Sequence, residues 1–280
     1  MIFDLNNNYY IEASAGTGKT YTICEIVKNY VKTIPLNKIL VVTYTEKATG
    51  EIRNRIRVAT GQNVDDAPIY TIHSFCQSVI KEFAVNTNCQ TGLDVLDKSF
   101  IDNFVEGYIK SGPIVKLCRE HGDTLILTGN LKDSLISLLD KYYLDCNGNI
   151  DHTIFNVTLE FDYEALFNKF INKEELTKDE EGLLGYAIAF HYLDDCYKAS
   201  QKAKDEKRVQ SFNDMIRSVR EAILNGDGSL TDKLRAKYDL VIIDEFQDTN
   251  QLQWDIFKKI FLCDRHHIIV VGDPKQSIYS

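Results

Sequence analysis

IEASAGTGKT, running from Ile11 to Thr20, decides how the rest of the chain is read. An apolar segment, YYIEAS (9–14), runs into a turn bearing Gly16 and Gly18, and a helical pattern begins at Lys19. Glycines let backbone N–H groups close around phosphate oxygens, and a helix N-terminus adds its dipole. In such a loop Lys19 reaches the β- and γ-phosphates and Thr20 offers a hydroxyl to Mg²⁺. The strict pattern G-x-x-x-x-G-K-[ST] fails at its first position, which is Ala13. A small residue serves there when the turn needs no positive φ. Ala13, Ser14, Ala15, Gly16, Thr17, Gly18, Lys19 and Thr20 are therefore read as a phosphate-holding loop between a strand and a helix.

Working outward, three apolar, β-branched runs read as buried parallel strands: KILVVTYT (38–45), YDLVIIDE (238–245) and HIIVVGD (267–273). YYIEAS and IYTIH (69–73) are shorter candidates. Helical patterns follow at about 19–33, 46–58, 73–85 and 250–262. Strand followed by helix, repeated, predicts an α/β fold: a parallel sheet with helices on both faces. Residues 86–205 read differently. SLISLLDKYYL and EEGLLGYAIAFHYLDDCYKASQKAKDEKR space their apolar residues helically, and IFNVTLEFDY (154–163) is the main strand-like exception. The spacing predicts one α/β domain from 1–85 and 206–280, interrupted by a mostly helical insertion at 86–205.

Bulk composition narrows the class. The 280 residues are 44% hydrophobic and 26% charged, as in soluble globular proteins. The N-terminus has neither a basic stretch nor a long apolar run, so no secretory signal is expected in this stretch, and no apolar run approaches the length of a membrane span. Seven cysteines, at 24, 76, 89, 118, 146, 196 and 263, form no C-x-x-C pair. Together these features predict reduced thiols and a cytoplasmic, membrane-free protein. The net charge of −9 argues against a general nucleic-acid binder. That charge is uneven: residues 151–200 carry 11 acids and 4 bases, while 36–60 carry Lys38, Lys47, Arg53, Arg55 and Arg57 against Glu46 and Glu51.

Two further stretches carry chemistry. LVIIDEFQDTNQ (240–251) ends a buried strand in Asp244-Glu245, where ligands bind in open α/β sheets. Asp244 would hold Mg²⁺, and Glu245 would orient or deprotonate an attacking water. IIVVGDPKQSIYS (268–280) runs from a strand into Gly272-Asp273, beyond which Gln276 could sense a γ-phosphate.

ASAGTGKT, VVTYTEKATGEIRNRI, TIHSFCQ, DEFQDTNQLQ and VVGDPKQSIY occur in this order. They resemble motifs I, Ia, Ib, II and III of superfamily 1 DNA helicases of the UvrD/RecB type, with wording nearest the RecB branch, the exodeoxyribonuclease V beta subunit. The resemblance implies a RecA-like P-loop NTPase domain 1A with 1B inserted at 86–205. It implies ATP and Mg²⁺ as cofactors, phosphate and metal roles for Lys19, Thr20 and Asp244, and Glu245 as catalytic base. It implies γ-phosphate contact by Gln276 and coupling of the nucleotide site through Gln247 and Asp248. Single-stranded DNA would meet Tyr44, Thr45, Thr71, His73 and Tyr279. Where the family uses a glutamine to read adenine, this chain places Asn6. The family continues past motif III into a second motor domain carrying motifs IV to VI and their arginines. The resemblance thus implies that these 280 residues bind ATP, hydrolyse it slowly and do not unwind DNA alone. RecC- or RecD-like subunits are the implied protein partners. A small-molecule P-loop kinase has no place for DEFQDTNQ. A non-catalytic nucleotide- or partner-binding module derived from a helicase domain is the other reading.

Overall fold

The structure is a computed structural model, and it describes residues 7–13, 18–87, 93–96, 98–121, 130–141, 150, 161–263, 265–273 and 275. The chain divides into two compact units, residues 1–92 with 214–280 and residues 93–213. The first unit holds a five-stranded sheet in the order β1-β7-β6-β2-β3, and every pairing in it is parallel. Its strands are β1 (Tyr9–Glu12), β2 (Ile39–Thr43), β3 (Ile69–Thr71), β6 (Leu240–Ile243) and β7 (His267–Gly272). Two short strands of the second unit, β4 (Asp94–Val95) and β5 (Val209–Gln210), pair separately.

Position in the sheet explains the sequence pattern. In β2 and β6 every residue is buried, because each has a strand on both sides and helices above and below. Their sequences, ILVVT and LVII, are accordingly continuous apolar runs. Edge strand β1 alternates between half-buried and exposed residues. On one face Ile39, Val41, Leu240, Ile242, Ile269 and Val271 pack against Ile23, Ile26 and Val27 of α1 (Lys19–Tyr30) and Ile52 and Ile56 of α2 (Glu46–Thr60). On the other, α3 (Ile72–Glu82) and the helix Gln251–Phe261 meet through Phe75 and Phe257, whose ring centroids lie 5.4 Å apart. Helices therefore cover both faces, as the strand–helix alternation predicts.

Local chemistry fixes the helix starts. Thr45 caps α2 by accepting from the Ala48 amide, and Thr71 caps α3 by accepting from the Ser74 amide. Asn250 and Gln253 form a reciprocal capping box ahead of the helix Gln251–Phe261. Gly18 opens α1 at φ 88°, a left-handed conformation that glycine adopts without steric cost.

The second unit is helical, with its own core of Val105, Leu135, Leu138, Phe167, Ile188 and Leu193. β4 pairs in parallel with β5, so the segment's two ends are joined where it leaves and re-enters the first unit's sequence. The long apolar pattern from 180 to 208 is two helices, Lys178–His191 and Leu193–Lys207. Residues 154–160 of the strand-like stretch lie outside the described residues. Its last residue, Tyr163, starts a helix capped by Asp162. Cys24, Cys76, Cys196 and Cys263 are free thiols, and burial pushes the Cys76 and Cys196 thiols up to about 12. Among the described residues no helix is long and apolar enough to cross a membrane.

Candidate nucleotide site

Three adjacent strands, β1, β7 and β6, run parallel and deliver their C-terminal ends to one edge of the sheet. The ladder continues one residue past each end. The Ala13 amide donates to the Gly272 carbonyl at 3.0 Å, and the Asp244 amide donates to the Val42 carbonyl at 2.8 Å. These bonds fix where the loop after β1 departs and where the acids after β6 begin.

Lys19 is the first residue of α1, and its Nζ lies 2.6 Å from Glu245 Oε2. Residues 226 apart in sequence thus meet at the sheet edge. The lysine side chain is 10% exposed, so the pair is held with little water around the cation. The same Oε2 accepts from Gln247 Nε2 at 2.6 Å. Gln247 also accepts, through Oε1, from the Asp273 amide at 2.9 Å. One glutamine side chain therefore links the acid after β6 to the turn after β7. Gly272 permits this approach, because a Cβ there would stand 2.8 Å from Gln247 Oε1.

Glu245 itself sits at φ 51°, ψ 47°, left-handed backbone that an L-residue with a long side chain rarely adopts. That turn directs its carboxylate to Lys19 and Gln247. Asp244 is 6% exposed, and its Oδ1 accepts from the Glu245 amide at 3.0 Å. Burial first, and the neighbouring Glu245 charge second, push its carboxyl up to about 6. Asp248 is raised for the same two reasons, while Lys19 lowers it. Glu245 pairs with the Lys19 ammonium while Asp244 stands buried beside it, so the acids here outnumber the one fixed base.

That imbalance and the all-oxygen donor set fit a magnesium ion. A divalent cation would offset the cost of ionising buried Asp244, and Thr20 stands beside Lys19 in the first turn of α1. Ser14, Ala15, Gly16, Thr17, Asn6, Gln276 and Tyr279 lie outside the described residues.

The residues read as DNA contacts that the structure describes lie at the C-terminal ends of β2 and β3 and just beyond them. Tyr44 is 42% exposed and Thr45 is exposed. Thr71 is buried, its hydroxyl engaged with Glu46 and Ser74. His73 is half-buried, and burial lowers its pKa. The α2 arginines have partners within the protein: Arg53 donates to the Ile69 carbonyl, Arg55 pairs with Glu51 and Arg57 with Asp65. Sequence reasoning missed the Gln247–Asp273 link and the clearance at Gly272. The signals for these were the resemblance, which assigns coupling to Gln247 without naming its partner, and a glycine placed directly after an apolar run.

A parallel sheet whose first helix opens on Lys19, with two acids following the strand two places along the sheet, fits the RecA-like class of motor domain. Residues 1–280 match the family described as UvrD/REP helicase N-terminal domain, and the chain belongs to that family. It is 27% identical to the RecBCD enzyme subunit RecB of Mycobacterium tuberculosis, over 96% of this chain and 26% of that protein. It is 26% identical to a probable DNA helicase II homolog of Mycoplasma capricolum, over 100% of this chain and 34% of that one. Identity to the ATP-dependent DNA helicase SRS2 of Saccharomyces cerevisiae is also 26%, over 100% of this chain and 22% of that protein. The chain thus spans about a quarter to a third of these relatives' length.

Proposed function

We propose that this chain is the ATP-binding part of an ATP-dependent DNA helicase or translocase that acts on single-stranded DNA in recombination and repair. The observation that carries the reading is the meeting of Lys19, which follows β1, with Glu245 and Gln247, which follow β6, across the C-terminal end of β7. In this reading residues 1–85 and 206–280 form motor domain 1A, and 86–205 form the inserted 1B.

The chain's own groups divide the work. Lys19 leaves Glu245 to hold the β- and γ-phosphates, exchanging one anionic partner for another. Glu245 keeps its bond to Gln247, so its carboxylate stays aimed when the lysine departs. Freed of the ammonium, Glu245 Oε2 accepts the proton of the attacking water. Asp244 and Thr20 would hold Mg²⁺, which would neutralise phosphate charge. The Gln247 link to the Asp273 amide carries changes at Glu245 to the turn after β7, which leads toward Gln276. Tyr44 stacks on a base, and the exposed start of α2 lies along the DNA backbone.

Arginines that complete such a site accelerate phosphoryl transfer by about 10³–10⁵-fold. The resemblance assigns them to a second motor domain, so these 280 residues alone bind Mg·ATP, turn it over slowly and do not separate strands. That second domain and RecC- or RecD-like subunits are the proposed partners. Steady-state ATPase measured with and without oligodeoxythymidylate tests the reading. Glu245→Gln should retain Mg·ATP binding and lose the residual turnover. Turnover unchanged in Glu245→Gln would contradict the assignment of the base. Wild-type nucleotide binding with no binding of oligodeoxythymidylate would favour a nucleotide-binding module over a translocase.

A further inference from the structure

The starts of α2 and α3 are joined by a carboxylate that the nucleotide site does not use. Glu46 Oε1 accepts from Thr71 Oγ1 at 3.1 Å and from Ser74 Oγ at 2.9 Å. Thr71 also accepts from the Ser74 amide at 3.1 Å, so one hydroxyl caps α3 and ties that cap to α2. A second tie lies deeper, where Arg53 Nη2 of α2 donates to the Ile69 carbonyl of β3 at 3.0 Å.

Beneath Glu46 the loop after β2 is equally closed. Thr43 Oγ1 meets Thr49 Oγ1 at 2.8 Å, and both hydroxyls lie 3.1 Å from the Thr45 carbonyl. Thr45 and Tyr44 are therefore presented to solvent from a loop whose underside is fully hydrogen-bonded. The pairing of β2 with β3, Thr43 opposite Thr71, brings this loop beside the start of α3, and the Glu46 bridge joins the two helix starts directly. A carboxylate in the first turn of α2 also suits the positive end of that helix, which offsets the cost of placing an anion on a DNA-facing surface.

From this geometry we infer that Glu46 is a positioning residue for single-stranded DNA. It brackets the two helix starts so that Tyr44 and Thr45 lie in register with His73, and Thr71 works from below the surface as the bracket's buried partner. The inference rests on the DNA-binding reading above and adds to it a residue that does not touch DNA.

Fluorescence anisotropy with labelled 20-nucleotide oligodeoxythymidylate, run on the 280-residue chain, tests it. Glu46→Ala removes the acceptor and should weaken binding about three- to tenfold, the scale of one or two net hydrogen bonds. Glu46→Gln keeps a carbonyl oxygen for both hydroxyls and should bind as wild type. Ser74→Ala should weaken binding less, and the Glu46→Ala/Ser74→Ala double variant should fall short of the summed effects, because the two share one bond. Mg·ATP affinity, measured alongside, should be unchanged in all four variants, whereas general loss of structure would lower it too. Tighter DNA binding in both Glu46→Ala and Glu46→Gln would overturn the inference, since the carboxylate would then act by repelling phosphate. Equal binding by wild type and Glu46→Ala would overturn it as well. No binding by wild type would instead remove the DNA reading, and the bracket's role with it.

Discussion

Asp244 is held where its charge is unfavourable, buried beside Glu245 with a carboxyl pushed up to about 6. Below about pH 4 the group is protonated in both folded and unfolded chains and makes no difference between them. As pH rises through 6 the folded protein must carry a charge that the unfolded chain carries freely, and stability is lost. Asp244→Asn should therefore raise stability at neutral pH by on the order of 2 kcal/mol, an advantage that disappears near pH 4. Thermal unfolding followed from pH 4 to 8 checks this, and a flat difference would contradict the assigned burial. The same residue predicts that Mg·ATP affinity rises from pH 5 to pH 7, as Asp244 gains the charge a cation needs. At Gly272 the constraint is space. An added Cβ would stand 2.8 Å from Gln247 Oε1, which is tied to the Asp273 amide. Gly272→Ala should cost about 1–3 kcal/mol in chemical denaturation, the usual penalty for overpacking, and lower ATP turnover by displacing Gln247 from Glu245. Lys19, Asp244 and Glu245 were legible in the sequence because each falls at a fixed place after an apolar run. Glu245's left-handed backbone and the link from Gln247 to Asp273 were not, because they depend on β6 and β7 lying side by side.

The strands could be read in proportion to their burial. β2, β6 and β7 stand out as apolar runs because neighbours flank them on both sides, whereas β1 and β3 lie at the sheet's edges. α1, α2, α3 and the helix Gln251–Phe261 follow their strands, as the alternation predicts. The pattern from 180 to 208 hid the junction at Tyr192, since apolar spacing continues across it. β4 and β5, at two residues each, are too short for any periodicity to register. The helix Gln251–Phe261 also shows what a cap contributes. Asn250 accepts from the Gln253 amide at 3.0 Å, while Gln253 Oε1 accepts from the Asn250 amide at 3.1 Å. Asn250→Ala should cost about 1 kcal/mol in chemical denaturation, and no loss would mean the helix start is set by packing alone.

Across the whole molecule, sequence order and spatial units part company. The first unit is assembled from residues 1–92 and 214–280, while 93–213 build a separate core. Among the described residues, the candidate nucleotide site joins Lys19, Glu245 and Gln247, all in the first unit and drawn from opposite ends of the sequence. Leu135, fully buried in the second unit's core, provides a contrast. Leu135→Ala should destabilise that unit by about 2–5 kcal/mol, seen in denaturant unfolding, and leave Mg·ATP affinity unchanged. The most direct test of the site is titration calorimetry of Mg·ATP against wild type and Lys19→Ala. The wild type should bind and the variant should lose at least about tenfold in affinity, as expected when a charge-assisted phosphate contact is removed. Equal affinity in the two proteins, or no binding by the wild type, would contradict the claim that Lys19 and the acids after β6 form a nucleotide site.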